Sequence, residues 1–180
     1  MIIENLYATY GIVLLPTKNY RDEAINFSRR LNLISPSNLI LNSENSIPHI
    51  TVAHIPTTYT QVKDVWDSCI TAFPDGLSVE PFTLFIRPGN GHIWVGVEVR
   101  RTHVLQELHT DVAVECKQRD LTITSEADDQ YWPHITIAQW NSMPKQQIPI
   151  DPVITKQFQV QPALVLMGNH GAASQILEQV

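Results

Sequence analysis

The chain has 180 residues, with 12 basic and 18 acidic side chains and a formal net charge of −6. Hydrophobic residues make up 43% and charged residues 17%, the balance of a globular chain, which excludes a disordered one. No apolar run reaches the roughly 20 residues that span a bilayer, and the acidic balance argues against a protein that grips long nucleic acid by neutralising phosphates.

The opening Met1-Ile2-Ile3-Glu4-Asn5 has neither a basic start nor a cleavage site, so no signal peptide is expected. The β-prone run Tyr7 to Leu15 predicts a first strand, and Tyr20 to Leu33 predicts a helix with Ala24, Phe27 and Leu31 at helical spacing. Tyr7 and Tyr10 fall on opposite faces of that strand. Pro48-His49-Ile50-Thr51-Val52-Ala53 then begins a further strand, followed by a helix over Tyr59 to Ala72 and a strand from Leu77 to Arg87. Pro88-Gly89-Asn90-Gly91 predicts a tight turn. His92 to Val99 alternates Ile93, Val95, Val97 and Val99 against His92, Trp94, Gly96 and Glu98, as a strand does. Thr102 to Lys117 predicts a helix with Val104, Leu105, Leu108, Val112 and Cys116 on one face. The acidic run Glu126-Ala127-Asp128-Asp129 reads as a solvated loop. Pro133-His134-Ile135-Thr136-Ile137-Ala138 starts another strand. After it come a loop interrupted by Pro144, Pro149 and Pro152, a strand from Phe158 to Met167, a turn at Gly168-Asn169-His170-Gly171 and a short edge strand over Ser174 to Val180. Cys69 and Cys116 lie in predicted helices without paired spacing. That argues against a disulfide framework or zinc ribbon and makes a reducing cytoplasm the expected compartment.

Two of these segments repeat one another. Pro48 to Ala53 and Pro133 to Ala138 agree at five of six positions, with Val exchanged for Ile at the sixth. Chance supplies on the order of 10⁻³ such matches in a chain this long. Each copy follows a strand and a helix, so the chain reads as a duplicated strand–helix–strand unit.

Regular alternation places His49, Thr51 and Ala53 on one face and Ile50 and Val52 on the other, with His134, Thr136 and Ala138 matching them in the second copy. The branched apolar pair anchors each strand in packing, while an imidazole and a hydroxyl about 6.6 Å apart are presented opposite. Two such histidines across one cleft allow a neutral imidazole to act as base and an imidazolium as acid. That suits in-line attack at phosphorus, with the Thr51 and Thr136 hydroxyls steadying the phosphoryl oxygens. The sequence has no His-Glu-x-x-His and no His-x-His pair, so neither a metal nor a cofactor is expected.

At these residues the chain resembles the two-histidine (2H) phosphoesterase superfamily, whose members carry two His-x-Thr/Ser motifs and include 2′-5′ RNA ligase-like proteins and cyclic phosphodiesterases. The stretch from His92 through the helix containing Val104 to His109, and the closing run Phe158 to Met167, resemble that family as well. The resemblance implies a bilobal α+β fold of antiparallel sheets with pseudo-twofold symmetry and a central cleft. It implies one domain over 1–180, with lobes at about 1–88 and 89–180 and terminal strands free to exchange between them. It also implies His49 and His134 as catalytic residues, with His134 as base and His49 as acid, and Thr51 and Thr136 as phosphate-binding residues.

The activity so implied is metal-independent hydrolysis of a nucleotide or short oligonucleotide 2′,3′-cyclic phosphate, of the kind met in RNA processing. The alternatives are 2′-5′ bond cleavage or ligation, degradation of cyclic oligonucleotides, and non-catalytic binding of phosphorylated RNA ends. Many relatives have Arg just after the second motif, where this chain has Gln139, with His54 as its counterpart in the first copy. Together with the acidic charge, this tilts the expectation toward a small nucleotide rather than long RNA, handled by a monomer without a membrane.

Of the remaining residues, Tyr131, Trp132 and Trp94 are candidates for base stacking or for the cleft wall, and Arg87 is a candidate phosphate contact. His54 shares the Ile50 face and reads as structural. His103, His109 and His170 read as surface residues, Trp66 and Trp140 as packing, and Arg100, Arg101, Lys117 and Arg119 as solvated charges.

Overall fold

The computed structural model describes residues 6–125, 130–149 and 151–180. The N-terminal segment Met1 to Asn5 and the acidic run Glu126 to Asp129 lie outside the described residues.

The first half contains β1 (Tyr7–Pro16), α1 (Lys18–Ile34), β2 (Leu39–Ile40), β3 (Ile50–Thr58) and α2 (Tyr59–Cys69), which runs into a 3-10 turn at Ile70–Ala72. Then come β4 (Ser78–Val79) and β5 (Pro81–Gly89). The second half contains β6 (His92–Val99), α3 (His103–Gln118), β7 (His134–Trp140), β8 (Phe158–Met167) and β9 (Ala173–Gln179). Within α1, Ala24, Phe27 and Leu31 are fully buried, which is the apolar stripe their spacing predicts. The helix ends at Ser35, whose extended backbone is the conformation favoured before Pro36. The Thr102 hydroxyl caps α3 by accepting from the Leu105 backbone N–H at 3.3 Å. Its buried face is Leu105, Leu108, His109, Val112 and Cys116, whereas Val104, expected on that face, is exposed.

The strands form two antiparallel sheets. One has the order β3-β1-β8, with β4 and β9 both paired to β8; the other has the order β2-β7-β6-β5. The trios β3-β1-β8 and β7-β6-β5 correspond, each with a motif strand at one end, its antiparallel partner in the middle, and a third strand from the other half of the chain. The helices cross over in the same way. α1 packs against β7 and β2 of the second sheet, and α3 packs against β3 of the first. One continuous core runs between the sheets and includes Ile12, Phe27, Ile55, Leu105, Ile135 and Trp140.

The strand expected over Leu77 to Arg87 is divided. Ser78–Val79 pairs with β8 in the first sheet, and Pro81–Gly89 pairs with β6 in the second. The chain changes sheets at Glu80-Pro81, where proline has no N–H to continue a ladder. The next turn is a two-residue hairpin in which Asn90 and Gly91 have φ values of 51° and 77°. Positive φ at both positions defines the type I′ turn that Asn-Gly favours.

Candidate active site

The two motif strands carry the same irregularity at the same place. Opposite β1, Thr51 pairs with Val13 and Ala53 with Ile12, so Val52 is an extra residue in β3. Opposite β6, Thr136 pairs with Gly96 and Ala138 with Val95, so Ile137 is the extra residue in β7. A β-bulge of this kind breaks strict alternation and shifts every following side chain to the other face. Ala53 and Ala138, expected beside the motif histidines and threonines, are instead fully buried in the core. In β3 the next cleft-side position falls to His54. His54 therefore belongs to the cleft, and its reading as a structural residue on the Ile50 face is corrected.

His49, Thr51, His134 and Thr136 line one open cavity of about 500 Å³, within the range of small-molecule sites. The two imidazoles are held alike. The Nδ1 of His49 lies 2.8 Å from the Ile47 carbonyl, and that of His134 lies 2.8 Å from the Trp132 carbonyl. A carbonyl oxygen only accepts, so each Nδ1 carries the hydrogen. Each Nε2, on the opposite side of the ring, is left bare in the neutral form and becomes a donor in the imidazolium. Burial pushes the His49 pKa down to about 4, against the Ile47 carbonyl bond that favours the charged form, and His54 and His134 lower it further. His54 is also lowered, first by burial and then by His134. The three rings thus share one electrostatic environment.

Trp132 stacks on His134 with centroids 4.2 Å apart, and the Arg87 guanidinium lies over the same indole at 4.0 Å. Its ring is engaged by protein groups and fixes the orientation of His134. Phe85 meets His134 edge-on at 5.5 Å. Room for Phe85 exists because residue 96 is glycine; a Cβ there would come within 2.6 Å of the Phe85 ring and 2.4 Å of the Ile135 carbonyl. Tyr131 forms part of the wall but is nearly buried, stacking on His109 at 4.4 Å and 3°. His109 is fully buried, which corrects its assignment to the surface. Its Nδ1 donates to the carbonyl of Val52, the bulge residue, at 2.8 Å. Trp94 lines the cavity, as do Leu39, Leu41 and Ile47, and its indole N–H donates to the Gly89 carbonyl at 3.0 Å. His170 is exposed and lines the cavity too.

Among the described residues, the titratable and charged lining is His49, His54, Arg87, His134 and His170, with the Tyr131 phenol and no carboxylate. The chain is acidic, but the described lining of this cavity is not. Total charge conceals that segregation, because the Glu98 carboxylate that pairs with Arg87 at 3.5 Å is not part of the lining. The residues missed from sequence, His54 and Phe85, depend on a bulge and on a cross-strand approach, neither of which has a local signature. Trp66 and Trp140 are packing residues as expected, and Tyr10 is buried while Tyr7 is exposed. The cysteines are free and buried in α2 and α3. No described helix is long and apolar enough to cross a membrane.

No protein-family model matches the sequence, and no curated protein matches it. Solved structures do match the fold. Escherichia coli LigT complexed with 3′-AMP aligns over 97% of this chain and 98% of its own, with a TM-score of 0.70 and 12% identity. LigT complexed with phosphate aligns over 97% and 96% with a TM-score of 0.62 and 12% identity. A phosphoesterase structure aligns over 97% and 98% with a TM-score of 0.62 and 10% identity. At these identities the likeness is one of fold. The α+β architecture of antiparallel sheets implied by the paired motifs is the architecture found, and it is shared with LigT, a 2H phosphoesterase, over nearly the whole chain.

Proposed function

We propose that the chain is a 2H phosphoesterase that hydrolyses the 2′,3′-cyclic phosphate of a nucleotide or short oligonucleotide without a metal. The observation that carries this reading is the pair of imidazoles, each tied through Nδ1 to the carbonyl two residues before it and each lining one cavity without a described carboxylate. Such a cavity favours a phosphate over a neutral ligand. Thr51 and Thr136 line the same cavity, and in this reading their hydroxyls donate to the non-bridging oxygens as charge builds there. The apolar lining residues, Leu39, Leu41, Ile47 and Trp94 among them, suit a planar base. The LigT complexes with 3′-AMP and phosphate support a small nucleotide as the ligand class.

In hydrolysis one imidazole takes a proton from water as its oxygen attacks phosphorus. The bond from phosphorus to the departing ribose oxygen breaks, and the second imidazole protonates that oxygen. With its pKa near 4, His49 is neutral in the empty cleft at neutral pH. As an acid it would be in the wrong form in most free molecules, so the favourable assignment is His49 as base and His134 as acid. This reverses the assignment that the resemblance implies.

The test is product analysis. The purified chain is incubated in EDTA with 2′,3′-cyclic mononucleotides, 2′-5′ oligoadenylate and cyclic oligonucleotides. Conversion of the cyclic mononucleotides to monophosphates is expected. Cleavage of only the 2′-5′ or cyclic oligonucleotides would move the assignment to those linkages, and turnover abolished by EDTA would contradict metal independence.

A further inference from the structure

His54 forms an asymmetry between the two motifs. The bulge at Val52 brings it onto the cleft face, and its Nε2 lies 3.3 Å from the Thr51 Oγ1. Gln139, at the equivalent place after the second motif, is fully buried, and its carboxamide has no hydrogen-bond partner among the described residues. Thr51 therefore has an imidazole on its hydroxyl, and no hydrogen bond between Gln139 and Thr136 matches it.

A hydroxyl has a single hydrogen to give. If the His54 Nε2 is bare, Thr51 donates to it and presents only lone pairs to the cleft, which repel a phosphoryl oxygen. If Nε2 carries a hydrogen, it donates to Oγ1 and the Thr51 hydrogen turns to the cleft. We propose that His54 is a positioning residue whose Nε2 sets the direction of the Thr51 hydroxyl, so that the first motif becomes a hydrogen-bond donor to a phosphate-like anion only when Nε2 is protonated. The inference rests on the phosphate-binding role of Thr51 advanced above.

The surroundings of His54 suit such a control. Its backbone is fixed, its N–H donating to the Ser125 Oγ at 3.2 Å and its carbonyl accepting from the Thr124 N–H at 2.9 Å. Its partner on β1 is Gly11, which is uncharged, and Gly171 of the turn after β8 faces the ring edge, with His170 beside it. His134 across the cleft also acts on it, and His54 in turn acts on His49, which lies just before β3. Every one of these is neutral or basic, so in the empty cleft nothing among the described residues favours a charged His54, and burial lowers its pKa. An arriving anion reverses that balance and draws a proton onto the ring. Binding of the anion and reorientation of Thr51 are then one coupled event.

The probe is inorganic sulfate, a tetrahedral dianion that does not itself titrate over about pH 5–8. Its affinity is measured by calorimetry across that range for the wild type, His54→Gln, His54→Leu, Thr51→Val and the His54→Leu/Thr51→Val double variant. Imidazole nitrogen shifts of His54 are recorded with and without sulfate on the wild type. The wild type is expected to bind sulfate more tightly as the pH falls, with the His54 Nε2 gaining its hydrogen on binding. His54→Leu and Thr51→Val are each expected to weaken binding about tenfold, and the double variant no more than either alone. His54→Gln, whose amide can donate at all pH values, is expected to stay within about threefold of the wild type and to show a flatter pH dependence. Additive losses in the double variant, a His54→Gln variant as weak as His54→Leu, or a sulfate-bound His54 with bare Nε2 would each overturn the inference while leaving the anion site intact. A wild type that binds no sulfate at any pH would overturn the functional reading along with it.

Discussion

The two motif strands β3 and β7 share more than their six-residue sequence. Each has an extra residue straight after its threonine, and each buries the following alanine. They differ in how that conformation is supported. The bulge in β3 is tied from beneath by the His109 imidazole of α3. On its cleft side lies the His54 ring, against the Thr51 hydroxyl. The β7 strand has the bulky stack of Trp132, Arg87 and Phe85 beside its histidine, and a buried Gln139 after its threonine. Duplication accounts for the common geometry, and the divergent packing gives two similar imidazoles different surroundings.

If both motifs address the same phosphorus, removing either histidine should be severe. His49→Ala and His134→Ala are each expected to lower kcat about 10²–10⁴-fold on a 2′,3′-cyclic nucleotide. One variant with near-normal turnover would break the comparison outright. Thr51→Val and Thr136→Val remove one donor apiece and are expected to lower kcat by about 10²–10³. A loss confined to KM in either variant would place that threonine in ground-state binding rather than in stabilising the transition state.

The pH profile separates the partners without mutation. His49 as base must be deprotonated, so kcat/KM should rise with pH through about 4. His49 as acid would give the opposite sign, with activity falling as pH rises through the same value. The smallest expected effect concerns stability. His109→Leu removes a buried donor from the Val52 carbonyl and is expected to cost about 1–3 kcal/mol, read from chemical denaturation. An unchanged midpoint would mean that the bulge in β3 holds without α3.

The secondary structure was legible wherever periodicity ran for several residues. The strand at His92–Val99 and the closing strand at Phe158–Met167 have the bounds expected from alternation and turn residues, and the helices agree to within a few residues at either end. The two-residue β2 is shorter than any period and left no trace, and the equally short β4 was merged with β5 into one expected strand. The paired motifs singled out His49, Thr51, His134 and Thr136, which line one cavity, because duplication of a polar pair is a signal that no single motif carries. His54 was misplaced because counting by twos assumes an unbroken ladder, and Val52-Ala53 is apolar on either assumption. His109 was misplaced for a related reason. It lies four residues beyond Leu105 on the buried face of α3, but a polar side chain inside an apolar stripe declares itself only when its acceptor, here a strand carbonyl 57 residues away, is known.

The claim on which the account rests is that both motif histidines serve a single anion. Imidazole nitrogen resonances of His49 and His134 can be followed together while sulfate is titrated into the wild-type chain. The account predicts that both Nε2 signals move along one binding curve with a common Kd. Movement of only one of them, or of each with its own Kd, would contradict it.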